Sequence, residues 1–424
     1  MSRAALLLVV SMVTAACGSG TASLRGSEHL AGTEITFSIA IPDEEKPAIQ
    51  ELLSRFQKRT RARVNVAFLS RFRNQPASRV NLTTTIDSME LIRALETDDP
   101  GNPSVHLFAQ DNLALTPLVD AGLVQDLSDV AIPDEVITSM VPPKFGGRSY
   151  FLPFRPNVRL TYLDESRLRS AGVRPPQTTA DLLAVARKLK AASGQAAVTL
   201  SLAEGDPAAV TISELIVSYG GDPLVLNDPG SQEAFSFLEQ MWSEGLIARE
   251  SLFARYDTEV EYLRTGMSWL AQNWSFTSAV LAKEGLLRKF SVSAGWKGPA
   301  RAAHVIGGDV LGIPTGVKGK QRAAALALAR YLMSKEAQEF LVRENAWASI
   351  RTDAYSTVPK EQRKTFDAIQ EAFEDGWFRP SVPYWPEVTV RMNEAVDRIL
   401  LQQQEVKTVL DELHAKIEAA KRTG

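Results

Sequence analysis

Two periods of apolar residues run through the chain. Ile35, Phe37 and Ile39 alternate with Thr36 and Ser38, the pattern of a half-buried strand. Over 42–59, Ile49, Leu52, Leu53 and Phe56 share one helical face, and Val64-Asn65-Val66-Ala67-Phe68 alternates again. A strand, a helix and a second strand in that order predict an α/β sheet. Further helices are predicted over 82–95, 113–121, 165–171, 180–192, 211–219, 231–244 and 257–264, then over 321–332 and 335–343. Strands are predicted over 105–108, 147–154 and 160–164, the last two separated by a break at Arg155-Pro156-Asn157. The run 305–314 reads as strand, glycine turn and strand. Its paired Gly307-Gly308 serves either a simple tight turn or a close approach of backbone to a ligand. The tail over 365–424 is helical except at Trp377-Phe378-Arg379-Pro380-Ser381-Val382-Pro383-Tyr384-Trp385-Pro386, where prolines exclude helix interior.

The stretch Gly266-Met267-Ser268-Trp269-Leu270-Ala271-Gln272-Asn273-Trp274-Ser275-Phe276 carries the most chemistry. Met267, Trp269 and Ala271 alternate with Ser268, Leu270 and Gln272, which predicts a short buried strand. Ser275 is placed to cap a helix through Ala279, Val280 and Leu281. Gln272, Asn273 and Trp274 then stand at a strand's carboxyl end, where open α/β sheets bind ligands. Two amides beside an indole offer directional hydrogen bonds and a flat apolar face, which suit a sugar ring. Trp242 and Trp269 are expected in the core and Trp274 at a ligand. Phe108, Gln110, Asp111 and Asn112 end an earlier strand in the same way. The rings of Tyr384 and Trp385, in a loop expected to expose three large rings, either meet a ligand or pack a lobe surface.

Composition narrows the classes. The chain has 424 residues, 45% of them hydrophobic, enough for a large core and two or three domains. Forty-seven basic against 50 acidic residues give a net charge of −3, so no basic excess exists to neutralise nucleic-acid phosphates. The four histidines, His29, His106, His304 and His414, are scattered without ligand spacing, and no zinc site or other cofactor is called for. Neither the phosphate-loop motif nor the nucleophile-elbow motif occurs.

Residues 1–17 read as a targeting segment. Arg3 is followed by an apolar run over 4–13 that is too short to span a bilayer, then by Ala15, Ala16 and Cys17, the single cysteine. This resembles a bacterial lipoprotein signal in which Cys17 is lipidated, with Thr14 departing from the usual Leu or Val. Such an anchor holds a protein at a membrane surface without crossing it. Residues 18–33, rich in Gly, Ser, Thr and Ala, read as a flexible tether.

Taken in order, these pieces resemble the extracellular solute-binding proteins of ABC importers, in particular the sugar-binding group that includes maltose-binding protein. The resemblance rests on the signal, the opening strand–helix–strand, the loop residues 118–127 and the run 153–162 leading into Leu163-Asp164. It continues through Tyr262-Leu263-Arg264-Thr265-Gly266-Met267 to Trp274, the run 307–313, the helix residues 324–331 and Leu332-Met333-Ser334-Lys335-Glu336-Ala337. It implies an α/β, two-lobed periplasmic-binding-protein fold with a hinge of two or three crossings, near 153–157, 292–299 and 345–347. Lobe 1 is expected over 34–154 plus 300–345, and lobe 2 over 155–299 plus 346–424. By position it implies ligand contacts from Asp43, Glu44, Glu45, Phe108, Asp111, Arg155, Asn157, Trp274, Gly307, Gly308, Asp309, Tyr384 and Trp385. Lobe closure would bury the ligand.

The expected function is capture of a sugar or oligosaccharide and its delivery to membrane permease subunits. The protein is expected to be an exported monomer, lipid-anchored on the outer face of the cell membrane or periplasmic, and not an enzyme. Asp309 after the glycines and Arg155-Pro156 in the crossing depart from the family pattern and point to a polar or distinctive ligand. The alternatives are a non-sugar solute such as a polyamine or metal ion in the same fold, and a glycoside hydrolase using two of Asp43, Glu44, Glu45, Asp111 and Asp309.

Overall fold

The computed structural model describes residues 30–41, 43–69, 84–99, 101–112 and 115–423. The targeting segment with Cys17, and the tether as far as 29, lie outside these residues. Among the described residues nine strands are formed: β1 (Glu34–Ala40), β2 (Arg63–Leu69), β3 (Leu107–Asp111), β4 (Leu152–Asp164), β5 (Val198–Thr199), β6 (Leu270–Trp274), β7 (Phe290–Ser293), β8 (His304–Gly312) and β9 (Gly376–Trp377). Their order is β2-β1-β3-β8-β4-β6-β5, with β7 on β4 and β9 on β8. β1 pairs in parallel with β2 and β3, as the opening pattern predicts. The sheet is mixed, because β8 runs antiparallel to both β3 and β4.

β4 joins the two halves of the molecule. Its first part, from Leu152 to Val158, pairs with β8, and its second part, from Arg159 to Leu163, pairs with β6. Two expectations are corrected here. No break occurs at Arg155-Pro156-Asn157, and no turn occurs at Gly307-Gly308; each lies inside a continuous strand. The register slips between Pro153 and Arg155, and Pro156 faces Gly308. Gly308 has φ +94°, and a Cβ there would fall 2.0 Å from the Arg155 carbonyl oxygen. A register irregularity and a bare glycine therefore carry both strands past the prolines.

Two large cores flank this junction. One gathers Ile35, Phe37 and Ile39 of β1 with Leu52 and Phe56 of the helix Lys46–Thr60 and Leu328 of the helix Gly319–Leu332. The other gathers Leu182, Val198, Phe235, Leu270, Trp269, Met392 and Leu413. Helix starts follow the local chemistry: Thr178 and Asp181 form a reciprocal capping box for the helix Thr179–Ser193, and Asp164 caps the helix Glu165–Ser170. Ser275 precedes the helix Phe276–Lys283 but makes no cap bond. Its hydroxyl is used elsewhere.

Candidate functional site

Trp274, the last residue of β6, lies at the junction of the two halves. It packs with Val210 and Val305 and with the half-buried Tyr256 and Trp377. Its ring meets that of Tyr256 edge to face, centroids 5.6 Å apart. Gly307 of β8 presses against the far edge, where a Cβ would stand 2.8 Å from two ring carbons. Asn273 fixes the surroundings: its amide donates to the Tyr256 carbonyl at 2.7 Å, and its side-chain oxygen accepts the Trp274 backbone N–H at 2.8 Å.

A polar chain extends from these rings. The Tyr256 hydroxyl donates to Asp206 at 2.8 Å, and Arg379 donates to the other Asp206 oxygen at 2.5 Å. Burial, together with the Asp206 carboxylate, pushes the Tyr256 hydroxyl pKa well above its ordinary value. Asp206 opens the helix Asp206–Ser218, where an acidic residue suits the helix dipole. Arg379 is buried, and its pKa is raised against the cost of burial by Asp206, Asp111 and Tyr256. Asp111 ends β3, so Arg379 is held electrostatically from both halves. Two residues further on, the Ser381 hydroxyl accepts the backbone N–H of Thr116 at 3.1 Å.

A second cluster lies along β4 and β8. Arg155 pairs with Asp309 at 2.7 Å and Glu45 at 3.4 Å, and its guanidinium stacks over Trp347, 4.7 Å from the ring centroid. Asp309 faces Asp111 across the β3–β8 ladder. Arg155, Gly307, Gly308 and Asp309 line a narrow indentation with Asn112 and Phe378, with room for about one water. Asn157 accepts the Ser275 hydroxyl at 2.6 Å, which explains the missing helix cap.

Behind both clusters, Arg159 is fully buried where β4 changes partners. It pairs with Glu214 at 3.1 Å and donates to Thr211 and to the Gln272 carbonyl. Glu214 also accepts the Val305 N–H at 2.7 Å, tying the helix to β8. Burial pushes the Glu214 carboxyl up while Arg159 pulls it down.

The structure thus brings together Glu45, Asp111, Arg155, Asn157, Trp274, Gly307, Gly308 and Asp309. Asp43 stands apart, exposed and paired with Lys46, and the Glu44 side chain lies outside the described residues. Phe108 is wholly buried in a separate cluster with Leu115, Leu118 and Phe151. The expectation of three exposed rings in the proline-spaced loop is corrected: Trp385 is buried in the second core and Tyr384 packs against it. Of that loop it is Trp377 and Arg379 that reach the Trp274 cluster. Asp206 and Tyr256 were not marked in the sequence. The available signal was a lone charge, Arg379, in an otherwise aromatic and proline-rich loop.

The family model for bacterial extracellular solute-binding proteins matches residues 70–367. A binding protein of Brucella abortus strain 2308 is 23% identical over 344 residues, covering 78% of this chain and 82% of that one. Among solved structures, the sugar-binding protein MalE of Xanthomonas citri superimposes with a TM-score of 0.78 at 16% identity, over 92% of this chain and 98% of its own. A ribitol-bound ABC transporter solute-binding protein of Agrobacterium radiobacter K84 gives 0.70 at 19% identity, over 92% and 99%.

Proposed function

The chain belongs to the bacterial extracellular solute-binding proteins, and from that membership we propose that it captures a sugar or oligosaccharide at the junction of its two lobes and delivers it to the permease of an ABC importer. The observation that carries this reading is the group of Trp274, Tyr256 and Trp377 beside the Asp206–Arg379 pair. Aromatic faces cover the C–H side of a pyranose, and a carboxylate with a guanidinium accepts from and donates to vicinal hydroxyls. Sugar or polyol names on the structural neighbours support the same ligand class. Membership of the solute-binding proteins supports a binder and not an enzyme. It works as an exported monomer, anchored through lipidated Cys17 at the outer face of the cell membrane. β4 and β8, which pair across the junction, serve as hinge strands between the lobes.

A thermal-shift screen against mono-, di- and oligosaccharides, with polyamines and metal ions as controls, tests this reading. A ligand that binds the folded state raises the Tm by mass action. A shift with one sugar class, with that sugar recovered unaltered, is expected. Stabilisation by a polyamine or metal ion alone would overturn it.

A further inference from the structure

Resting on the sugar-capture reading, we propose that the segment 376–382 is an autoinhibitory strap, latched through Ser381 to Thr116, that holds the sugar site shut until the latch is released. Trp377, Arg379 and Ser381 fall at alternate positions of this segment, and all three reach into the junction. Trp377 packs against the Trp274 cluster, Arg379 donates to Asp206 at 2.5 Å, and Ser381 bonds to Thr116. The latch is double. The Ser381 hydroxyl accepts the Thr116 N–H at 3.1 Å, and the Thr116 hydroxyl donates to the Ser381 carbonyl at 2.5 Å. Its two sides are anchored separately. Thr116 lies in the helix Leu115–Asp120, whose Leu115 and Leu118 pack with Phe108 of β3 and with Phe151. The strap runs from β9, which pairs with β8, to Val382 and Tyr384, which pack on the second core.

In this arrangement the site is covered. Trp274 is only 5% exposed, and Trp377 is among the residues packed around it. The neighbouring way in is narrow as well. Phe378 of the strap and Asn112, which precedes the helix of Thr116, line the indentation that has room for about one water. A pyranose is far larger than a water, so a ring stacked on Trp274 requires the strap and the helix Leu115–Asp120 to part. The strap is the cover that can yield. β8 is paired on both sides, by β3 and β4, and Val210 lies in the helix whose Glu214 is bonded to Arg159. Residues 378–382, by contrast, belong to no strand or helix. Both latch bonds join neutral groups, so each is of modest strength and a ligand can displace the pair. A latched population lowers the apparent affinity in proportion to the fraction of molecules that is shut.

Isothermal titration with maltose and cellobiose, together with small-angle X-ray scattering, tests the latch in wild type, Ser381→Ala and Thr116→Val. Each variant should have a larger radius of gyration than the wild type and bind the disaccharide roughly threefold or more tightly. The converse variant is Thr116→Cys/Ser381→Cys in a Cys17→Ser background. The two hydroxyl oxygens stand 2.5 Å apart, so thiols in their place are within reach of a disulfide. Oxidised, this protein should bind roughly tenfold or more weakly than after reduction. Folded single variants that bind no tighter than wild type, or an oxidised pair that binds as tightly as the reduced one, would overturn the strap while leaving sugar capture intact. No binding of either disaccharide by the wild type or by the single variants would overturn the sugar reading instead. An unchanged radius of gyration in the folded variants would overturn the latch by itself.

Discussion

Replacing Gly307 with alanine tests how closely β8 is pressed against Trp274. Gly307 is not among the glycines with positive φ, so its backbone accepts an alanine. On chain entropy alone the change would stabilise the protein by about 0.4–1 kcal/mol. The contact reverses the sign. The added Cβ would lie 2.8 Å from Cη2 and Cζ3 of Trp274, well inside the ordinary carbon contact of about 3.5–4.0 Å. The ring cannot simply retreat, because Val210, Val305 and Tyr256 hold it. Overpacking of this kind costs about 1–3 kcal/mol, which leaves a net loss of roughly 1–2 kcal/mol. Urea unfolding followed by tryptophan fluorescence should show a lower midpoint at unchanged slope. Near-ultraviolet circular dichroism should report a displaced indole, and sugar affinity should fall. A variant that is more stable, with an unaltered near-ultraviolet spectrum, would refute the packing argument.

Gly308→Ala should be worse than its neighbour, because the φ of +94° and the 2.0 Å approach to the Arg155 carbonyl act together; a loss on the order of 3 kcal/mol or more is expected in the same unfolding assay. Arg159→Met strands the Glu214 carboxylate in the core and should cost roughly 3–5 kcal/mol, most of it recovered in the Arg159→Met/Glu214→Leu double variant. Two buried groups give opposing pH dependences. Burial pushes Glu259 from 4.5 up to about 7. The folded state therefore keeps a proton that the unfolded chain releases, and stability falls by about 3 kcal/mol as pH rises from 4.5 through 7. Burial, then Arg159, pushes His304 from 6.5 down to about 4, so stability falls by a similar ~3 kcal/mol as pH drops from 6.5 through 4. Tm profiles from pH 4 to 8 should thus tilt upward with pH in Glu259→Gln and downward in His304→Gln; identical profiles would contradict both assignments.

Local periodicity carried the opening strand–helix–strand and most helices, because Ile49, Leu52, Leu53 and Phe56 or Ala324 and Leu328 can reach a core only from one face. It failed where pairing partners decide. Pro156 looks like a strand breaker in isolation, yet Gly308 across the ladder makes room for it. The same glycine pair looks like a turn until β4 and Trp274 are seen to require it. Trp274 was legible from its place after a buried strand. Trp377 was hidden because its role depends on pairing beside Val305 in β8, far away in sequence. Asp206 and Arg379 are 173 residues apart, and no local pattern joins them. Trp385 was misplaced in an exposed loop because Pro386, read as a loop residue, in fact stands in the first turn of a helix.

The most direct test of sugar capture at Trp274 is isothermal titration of wild-type and Trp274→Ala protein with the neutral sugar that stabilises the wild type most. Saturable one-to-one binding by the wild type is expected, weakened by roughly tenfold or more, about 1.4 kcal/mol, in a variant that still unfolds cooperatively. Equal affinity in the two proteins would contradict the account, for the sugar would then be held somewhere other than at this ring.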